Sequence, residues 1–175
     1  SGWFSTLGAL LLSAGLVGCQ QHTETSRITV ASAGKISSLD PAQASTINTI
    51  QLLSALGDPL YSLDRDGKLI PRLASAPPAV SGDGLTVTIP LRRDVRFHDG
   101  TRFDAEAMAF SLRRFLSIGT LSYVVGGRIA SVEVSAPDQL VLNLSRPSTS
   151  LEGLLTSVNL TPVSPTAYAK HADQF

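Results

Sequence analysis

The sequence predicts a mixed α/β fold, of the α+β kind, in which hairpin strands and helices share one core. Residues 85–91 alternate apolar and polar side chains, which is the pattern of a half-buried strand. Residues 104–116 repeat apolar side chains every three or four positions behind a capping aspartate, which is the pattern of an amphipathic helix. Because strands, helices and turn signals alternate along most of the chain, we expect sheet and helices to pack as layers.

Composition excludes several classes of protein. The 175 residues are 43% hydrophobic and 16% charged, which suits a folded domain and argues against a disordered chain. The 14 basic and 14 acidic residues balance without a basic stripe, so we expect no nucleic-acid partner. One cysteine and three scattered histidines predict neither a disulfide framework nor a metal site, and we expect no cofactor.

The start of the chain differs from the rest. Residues 1–18 carry no charge, and residues 7–17 are almost all apolar or small. A buried helix would show an amphipathic stripe, and a transmembrane helix needs about 20 strongly apolar residues. A secretory signal has an apolar region of roughly 7–15 residues followed by small ones. We therefore interpret residues 1–18 as a signal peptide truncated at its start, since neither an initiator Met nor a basic segment is present.

Cys19 closes this segment within Leu16-Val17-Gly18-Cys19, a motif that resembles the bacterial lipobox. In that motif the cysteine is lipidated and becomes the mature N-terminus, which predicts a membrane anchor on Cys19. Two acyl chains give stable anchoring where one would be marginal. Residues 19–26 would then form a lipidated tether, because they are mostly polar and lack periodicity, and residues 27–175 would form the folded part.

The folded part should begin with a strand at residues 27–33, where β-prone side chains follow the tether. Asp40-Pro41 marks a turn or the start of a helix. A longer helix should run from Ser45 or Thr46 to the breaker Gly57. Its apolar stripe would consist of Ile47, Ile50, Leu52 or Leu53, and Leu56.

Two hairpins are expected. Residues 59–63 and 68–71 flank Asp64-Arg65-Asp66-Gly67, where the glycine can supply the positive φ of a tight turn. Residues 129–134 and 140–144 flank a second turn that contains proline and aspartate.

The segment between the hairpins should combine a loop, two strands and a turn. Residues 75–84, rich in Pro, Gly and Ser, should form the loop before the strand at 85–91, and Val95 and Phe97 should lie in its partner strand. His98-Asp99-Gly100 should make the turn, with side chains that satisfy backbone groups and form no catalytic dyad. The arginines nearby and on the next helix are expected in solvent: Arg92, Arg93, Arg96, Arg102, Arg113 and Arg114.

Three helices should follow this turn. Asp104 should cap the first, which would bury an apolar stripe made of Met108, Leu112, Phe115 and Leu116. A short helix is expected around Leu151, Leu154 and Leu155. Ser164-Pro165 should open a last helix that continues to the end of the sequence.

Four stretches together resemble one protein family. Residues 84–107 read GLTVTIPLRRDVRFHDGTRFDAEA and resemble the hallmark segment of the family 5 extracellular solute-binding proteins, which bind oligopeptides, dipeptides or nickel. Three further stretches follow the order of that family: Ser38-Leu39-Asp40-Pro41, PLYSLDRDGKLIPRL at residues 59–73, and residues 158–175. The resemblance covers residues 27–175.

The resemblance implies a fold like that of the type II periplasmic binding proteins, with residues 27–175 as the N-terminal part of lobe I only. It implies that the loop after the first strand faces the ligand cleft and that Tyr123 approaches the ligand from the segment after the hallmark helix. The loop residues concerned are Gly34, Lys35, Ile36, Ser37 and Ser38. Each of these residues could equally be an ordinary loop or core residue.

The resemblance also implies a function. It implies a monomeric protein of the bacterial cell envelope, lipid-anchored at the periplasmic or extracellular face, that captures a peptide or another small solute and delivers it to ABC permease subunits. A surface lipoprotein that senses peptides or nickel chelates without transport is the alternative. We expect no enzyme, because no serine or cysteine lies in a nucleophile motif. The choice among peptide, nickel chelate and oligosaccharide ligands stays open.

Overall fold

The computed structural model describes residues 29–31, 34–36, 38–125 and 127–172. The expected signal peptide, the tether with Cys19, and Ser37 therefore lie outside the described residues. The chain divides into two units, Ser1–Ala31 and Ser32–Phe175. In the first unit, residues 29–31 are exposed and form no strand, so the prediction of a strand at 27–33 is wrong for these three residues. The β-branched side chains of Thr29 and Val30 suit a strand, but a strand also needs a pairing partner.

The second unit contains five α-helices and six β-strands among its described residues. The helices are α1 (Ile47–Leu56), α2 (Ala105–Ile118), α3 (Ser122–Val125), α4 (Leu151–Leu155) and α5 (Pro165–Lys170). The strands are β1 (Tyr61–Leu63), β2 (Leu69–Pro71), β3 (Ala79–Val80), β4 (Thr86–Pro90), β5 (Ile129–Ala136) and β6 (Gln139–Leu144). Short 3₁₀ helices lie at Pro41–Gln43 and Val158–Leu160.

The strands form two antiparallel sheets. The larger sheet has the order β3-β4-β6-β5, and β1 pairs with β2 in a separate hairpin. Gly67 in that hairpin has φ 78°, which confirms the predicted turn, since a side chain would be strained there. In the larger sheet, Val87 lies opposite Leu142 and Ile89 lies opposite Leu140, so their side chains share the buried face.

Two predictions around β4 are wrong. Residues 79 and 80 form β3 within the segment expected to be a loop, and Val95 and Phe97 are not in a strand paired with β4. Both edges of β4 are already occupied, by β3 and β6, so no hydrogen-bonding edge is left for a third strand. Phe97 instead packs edge-on against Phe103, with ring centroids 6.0 Å apart.

Helix α2 covers the larger sheet and closes the core. It begins at the predicted cap, where the Ala107 amide donates to Asp104 Oδ1 at 3.0 Å. Met108, Leu112 and Phe115 are buried in the cluster that includes the β4 and β6 side chains, as predicted, whereas Leu116 is only partly buried. Burial of one such side chain is worth about 1.5–3 kcal/mol.

Helix α1 has the predicted limits but a different buried face. Thr46 caps its start and Gly57 follows its last residue. Ile47, expected in the apolar stripe, is 66% exposed, while the buried positions are Thr49 and Leu53. Thr49 tolerates burial because its hydroxyl accepts a hydrogen bond from the Thr46 hydroxyl at 3.0 Å.

The last two predicted helices are present. Helix α4 forms at the three leucines, and Ser164 caps α5 by accepting from the Ala167 amide at 3.1 Å. Helix α5 ends at Lys170, so the prediction that it continues to the end of the sequence is wrong. Within the part of the chain that the structure describes, no helix has the length and apolar character needed to cross a bilayer.

Candidate functional site

The loop at residues 34–38, predicted to face a ligand, combines a tightly packed glycine with exposed side chains. A Cβ on Gly34 would lie 1.5 Å from Asn48 Nδ2, so any other residue at this position would require the Asn48 side chain on α1 to move. Lys35 and Ile36 are exposed. Ser38 is half-buried, and its hydroxyl accepts a hydrogen bond from the Asp40 amide at 3.0 Å.

Asp40 follows this loop and is completely buried. Its carboxylate accepts from the Ala42 amide at 3.0 Å and thereby caps the 3₁₀ helix Pro41–Gln43. Both terminal nitrogens of Arg114 donate to the same carboxylate, Nη1 at 2.7 Å to Oδ1 and Nη2 to Oδ2. The side chains of Asp40 and Arg114 are 0% and 8% exposed, so they form a buried, bidentate ion pair.

Two further side chains complete this arrangement. The guanidinium carbon of Arg114 lies 4.7 Å from the centroid of the Tyr168 ring, a cation–π contact. Asn159 Nδ2 donates to the carbonyls of Pro41 and Ala44, at 2.8 Å each. We call Asp40, Arg114, Asn159 and Tyr168 the Asp40 cluster.

The Asp40 cluster overturns one sequence prediction. Arg114 was expected on a solvated helix face together with Arg113, but it is buried against Asp40. The hydrogen bonds from Arg114 to Asp40 raise the pKa of Arg114 above its usual value. Arg113 is exposed as expected, and its guanidinium donates to the Val132 carbonyl at 2.7 Å.

Hydrogen bonds also join the 3₁₀ helix Pro41–Gln43 to the turn between α2 and α3. The Thr120 amide donates to the Ala42 carbonyl at 3.1 Å, and the Thr120 hydroxyl donates to Gln43 Oε1 at 2.6 Å. Gln43 Nε2 donates to the Ile118 carbonyl at 3.0 Å. Tyr123 lies on α3 just beyond this turn and is 74% exposed. The sequence predicts ligand contacts in the loop at residues 34–38 and at Tyr123. These bonds join the residues that follow that loop to the turn that precedes Tyr123.

A cavity of about 480 Å³ lies beside α3 and α4, within the size range of small-molecule sites. Its wall is mostly apolar and includes Phe115, Leu121 and Leu154. Arg128 also lines it and donates from Nη1 to the Ser150 hydroxyl at 2.6 Å. No sequence pattern predicts this cavity, because its residues come from separate elements with no common motif.

In the turn at His98-Asp99-Gly100, the Asp99 side chain has the structural role predicted for it. Asp99 Oδ1 accepts from the Thr101 amide at 2.9 Å, and Oδ2 accepts from the Ser164 hydroxyl at 2.6 Å. Hydrogen bonds from Ser164 and Thr101 lower the pKa of Asp99 to about 2. Asp99 therefore links the hallmark segment to the cap of α5, which lies far along the chain.

The other hallmark charges lie at the surface, as predicted. Arg92 pairs with Asp94 at 2.7 Å, and Arg93 pairs with Asp138 at 2.6 Å. Both arginines are exposed, so water screens each pair and neither pair contributes much to stability. In the described part of the chain, no group of three or more His, Cys, Asp or Glu side chains could hold a metal ion.

The fold described above matches part of larger solute-binding proteins of known structure, which have the type II periplasmic-binding-protein fold predicted from the sequence. A family model described as bacterial extracellular solute-binding proteins, family 5 middle, matches residues 68–175. This match extends over more than half of the chain, from the first hairpin through the hallmark segment to α5. The chain belongs to family 5 of the bacterial extracellular solute-binding proteins.

Individual relatives agree with this assignment. The chain is 32% identical over 146 residues to the glutathione-binding protein GsiB of Salmonella choleraesuis strain SC-B67, covering 82% of this chain and 28% of that protein. The binding protein AgaA of A. tumefaciens R10, solved with agropinic acid, superposes with a TM-score of 0.72 at 28% identity, over 80% of this chain and 28% of AgaA. The peptide-binding pheromone receptor PrgZ gives a TM-score of 0.69 at 27% identity, over 77% and 30% of the two chains.

Proposed function

We propose that this chain is the N-terminal part of lobe I of a longer solute-binding protein that captures peptides, or a related small solute, for an ABC importer. The observation that carries the proposal is the family match over residues 68–175, together with the relative named for binding glutathione, a tripeptide. The chain spans only 28% of the length of that relative, so a second lobe would come from the remaining sequence. Two lobes that close by hinge motion would enclose the ligand and exclude water.

The proposed ligand contacts are Gly34, Lys35, Ile36, Ser37 and Ser38 in the loop, and Tyr123 on α3. Exposure of Lys35, Ile36 and Tyr123 supports this assignment, because a ligand can reach them. The close fit of Gly34 against Asn48 gives the loop backbone a defined position. A backbone held in this way can pair with the main chain of a peptide, which leaves the peptide's side chains largely unselected.

The proposed location is the outer side of a bacterial membrane, where a monomer would be held by lipid on Cys19 and the tether at residues 19–26. The support is the sequence motif, because the structure does not describe Cys19. Mass spectrometry of the mature protein should find lipid mass on Cys19 and no residues before it, and Cys19→Ser should lose that mass. Unmodified Cys19 at the mature N-terminus, or residues 1–18 still attached, would contradict the proposed anchor.

The proposed binding function is tested by calorimetric titration of the full-length protein with glutathione, trialanine and a mixed library of di- to pentapeptides. We expect micromolar or tighter binding of at least one peptide, recovery of that peptide unhydrolysed, and no binding by the isolated 175 residues. Binding of nickel chelates or oligosaccharides but of no peptide would replace the peptide assignment. Peptide turnover would contradict a binding protein.

A receptor without transport is the second candidate, and the likeness to the pheromone receptor PrgZ favours considering it. The two candidates differ in what happens after capture. In cells that express the protein with its permease, an importer accumulates labelled peptide, and accumulation stops when the permease subunits are deleted. A sensor binds the same peptide with no accumulation in either strain.

A further inference from the structure

We propose that Asp40 and Arg114 are positioning residues that hold the ligand loop in its binding geometry. The ligand loop here means residues 34–36 and 38–39. This inference rests on the proposed function, because it needs the loop to contact a ligand. It goes beyond that function because it says what sets the position of the ligand loop. The buried ion pair does so without contacting the ligand.

The ends of the ligand loop are fixed while its middle is exposed. At one end, Gly34 packs directly on the Asn48 side chain, whose Nδ2 would lie 1.5 Å from a Cβ at position 34. At the other end, Ser38 accepts from the Asp40 amide at 3.0 Å, and Asp40 is buried. Between and beside these points, Ile36 and Leu39 stay exposed although they are apolar. The loop therefore presents side chains outward from two anchored ends.

The chemistry of the ion pair suits positioning better than stabilisation. A buried ion pair gains little net stability over apolar residues of the same size, because removal of both charges from water offsets their attraction. A guanidinium that meets a carboxylate through two parallel bonds, and also stacks on a ring, satisfies only one relative orientation. Arg114 meets both conditions through Asp40 and Tyr168. Asn159 also holds the segment that follows Asp40, because its side-chain amide donates to the carbonyls of Pro41 and Ala44.

Helix α2 connects this anchor to the second proposed contact segment. Arg114 lies in the last turns of α2, whose end leads through Thr120 to α3 and Tyr123. Thr120 is bonded in turn to the residues that follow Asp40. The end of α2 thus holds the ligand loop through Arg114 and leads through the turn at Thr120 to Tyr123 on α3. The ion pair therefore fixes the two proposed contact segments relative to each other.

This arrangement predicts an effect on affinity beyond any effect on stability. If the binding geometry is present in only a fraction of the molecules, the apparent Kd rises by the inverse of that fraction. If loss of the Asp40–Arg114 pair leaves about one tenth of the molecules in the binding geometry, the apparent Kd therefore rises about tenfold. A merely structural role would lower the melting temperature and leave the Kd of the folded molecules unchanged.

The test compares Asp40→Asn with Asp58→Asn in the full-length protein. Asp58 is the matched control, since it also accepts two bonds from one arginine, Arg72 Nε at 3.0 Å and Nη2 at 2.6 Å. That pair is half-exposed, so its loss should leave affinity unchanged. Calorimetric Kd values for glutathione and trialanine are measured where circular dichroism shows each variant folded. We expect at least about a tenfold rise for Asp40→Asn and less than about twofold for Asp58→Asn.

Arg114→Lys keeps the experiment decisive if Asp40→Asn does not fold. Lysine keeps the positive charge but loses the paired bonds and the ring stacking, so we expect a smaller rise in Kd of about threefold or more. A wild-type Kd in either folded variant overturns the inference while the proposed function stands. Wild-type protein that binds neither peptide removes the proposed function and the inference together.

Discussion

Two aspartates show how differently two regions of this molecule are held together. Asp99 lies exposed in the hallmark segment and is bonded to the nearby Thr101 and to Ser164. Asp40 lies buried after the ligand loop and is paired with Arg114, 74 positions away in the sequence. Both aspartates therefore bind a distant part of the chain, but Asp99 does so from an exposed turn, whereas Asp40 does so in a buried pair that satisfies only one geometry.

The hallmark segment and the Asp40 cluster should therefore contribute differently to folding and to binding. The hallmark segment adds β4 and the first turn of α2 to the core, and its surface charges are solvated, so changes there should act on folding. The Asp40 cluster fixes the ligand loop and the α2–α3 turn, so changes there should also act on binding. Substitutions in the two regions should separate these tasks, from the largest expected effect to the smallest.

The largest effect on stability should come from a substitution in the hydrophobic core between α2 and the larger sheet. Phe115→Ala removes a ring that is 3% exposed and packed in the main cluster, which should cost about 3–5 kcal/mol. Thermal unfolding of the full-length protein should show a melting temperature several degrees lower. Tyr123→Ala is the control, because this exposed ring should change stability by less than about 0.5 kcal/mol. Equal melting temperatures for Phe115→Ala and wild type would show that the assigned buried face of α2 is wrong.

A smaller loss should follow when one member of the Asp40 cluster is truncated. Asn159→Ala leaves the buried Pro41 and Ala44 carbonyls without the donor that bridges them, which should cost about 1–3 kcal/mol. Asn143→Ala is the matched control, since that amide donates to Ser131 on the sheet surface. Urea unfolding midpoints measure both. A loss for Asn143→Ala as large as that for Asn159→Ala would mean that the cluster is no more constrained than the surface.

The smallest effect should be the pH dependence of the hallmark turn. The pKa of Asp99 is about 2 in the folded protein and lies below its ordinary value of 3.8, so the unfolded chain binds the proton more readily. The contribution of Asp99 to stability is therefore complete above pH 4 and is lost as pH falls toward 2. The difference in melting temperature between wild type and Asp99→Asn should shrink over this window. A difference that is independent of pH would show that the Ser164 and Thr101 contacts do not depend on the charge of Asp99.

Local patterns made much of the fold predictable. Caps at Thr46 and Asp104, the glycine turn at Gly67 and the alternation along β4 each involve residues close in sequence, and each is present. Those patterns predicted a mixed α/β fold, and the family resemblance added the particular fold, that of the type II periplasmic binding proteins.

The features that the sequence did not predict depend on which distant segments pack together. The spacing of apolar residues along the chain does not contain that information. Ile47 follows the apolar spacing of α1 yet faces solvent, while Thr49 is buried because Thr46 satisfies its hydroxyl. Arg114 has the sequence context of a surface charge, and only the arrival of Asp40 from a distant segment allows it to be buried. The candidate site was predictable as a loop and a tyrosine, but the cluster that anchors the loop was not.

The most direct test of the division between the two regions is the peptide Kd of Asp99→Asn beside that of Asp40→Asn, in the full-length protein at neutral pH. Glutathione and trialanine serve as ligands, and both variants are measured where they are folded. The account predicts a Kd within about twofold of wild type for Asp99→Asn and at least about tenfold weaker for Asp40→Asn. Equal losses in the two variants, or an unchanged Kd for Asp40→Asn, would contradict it.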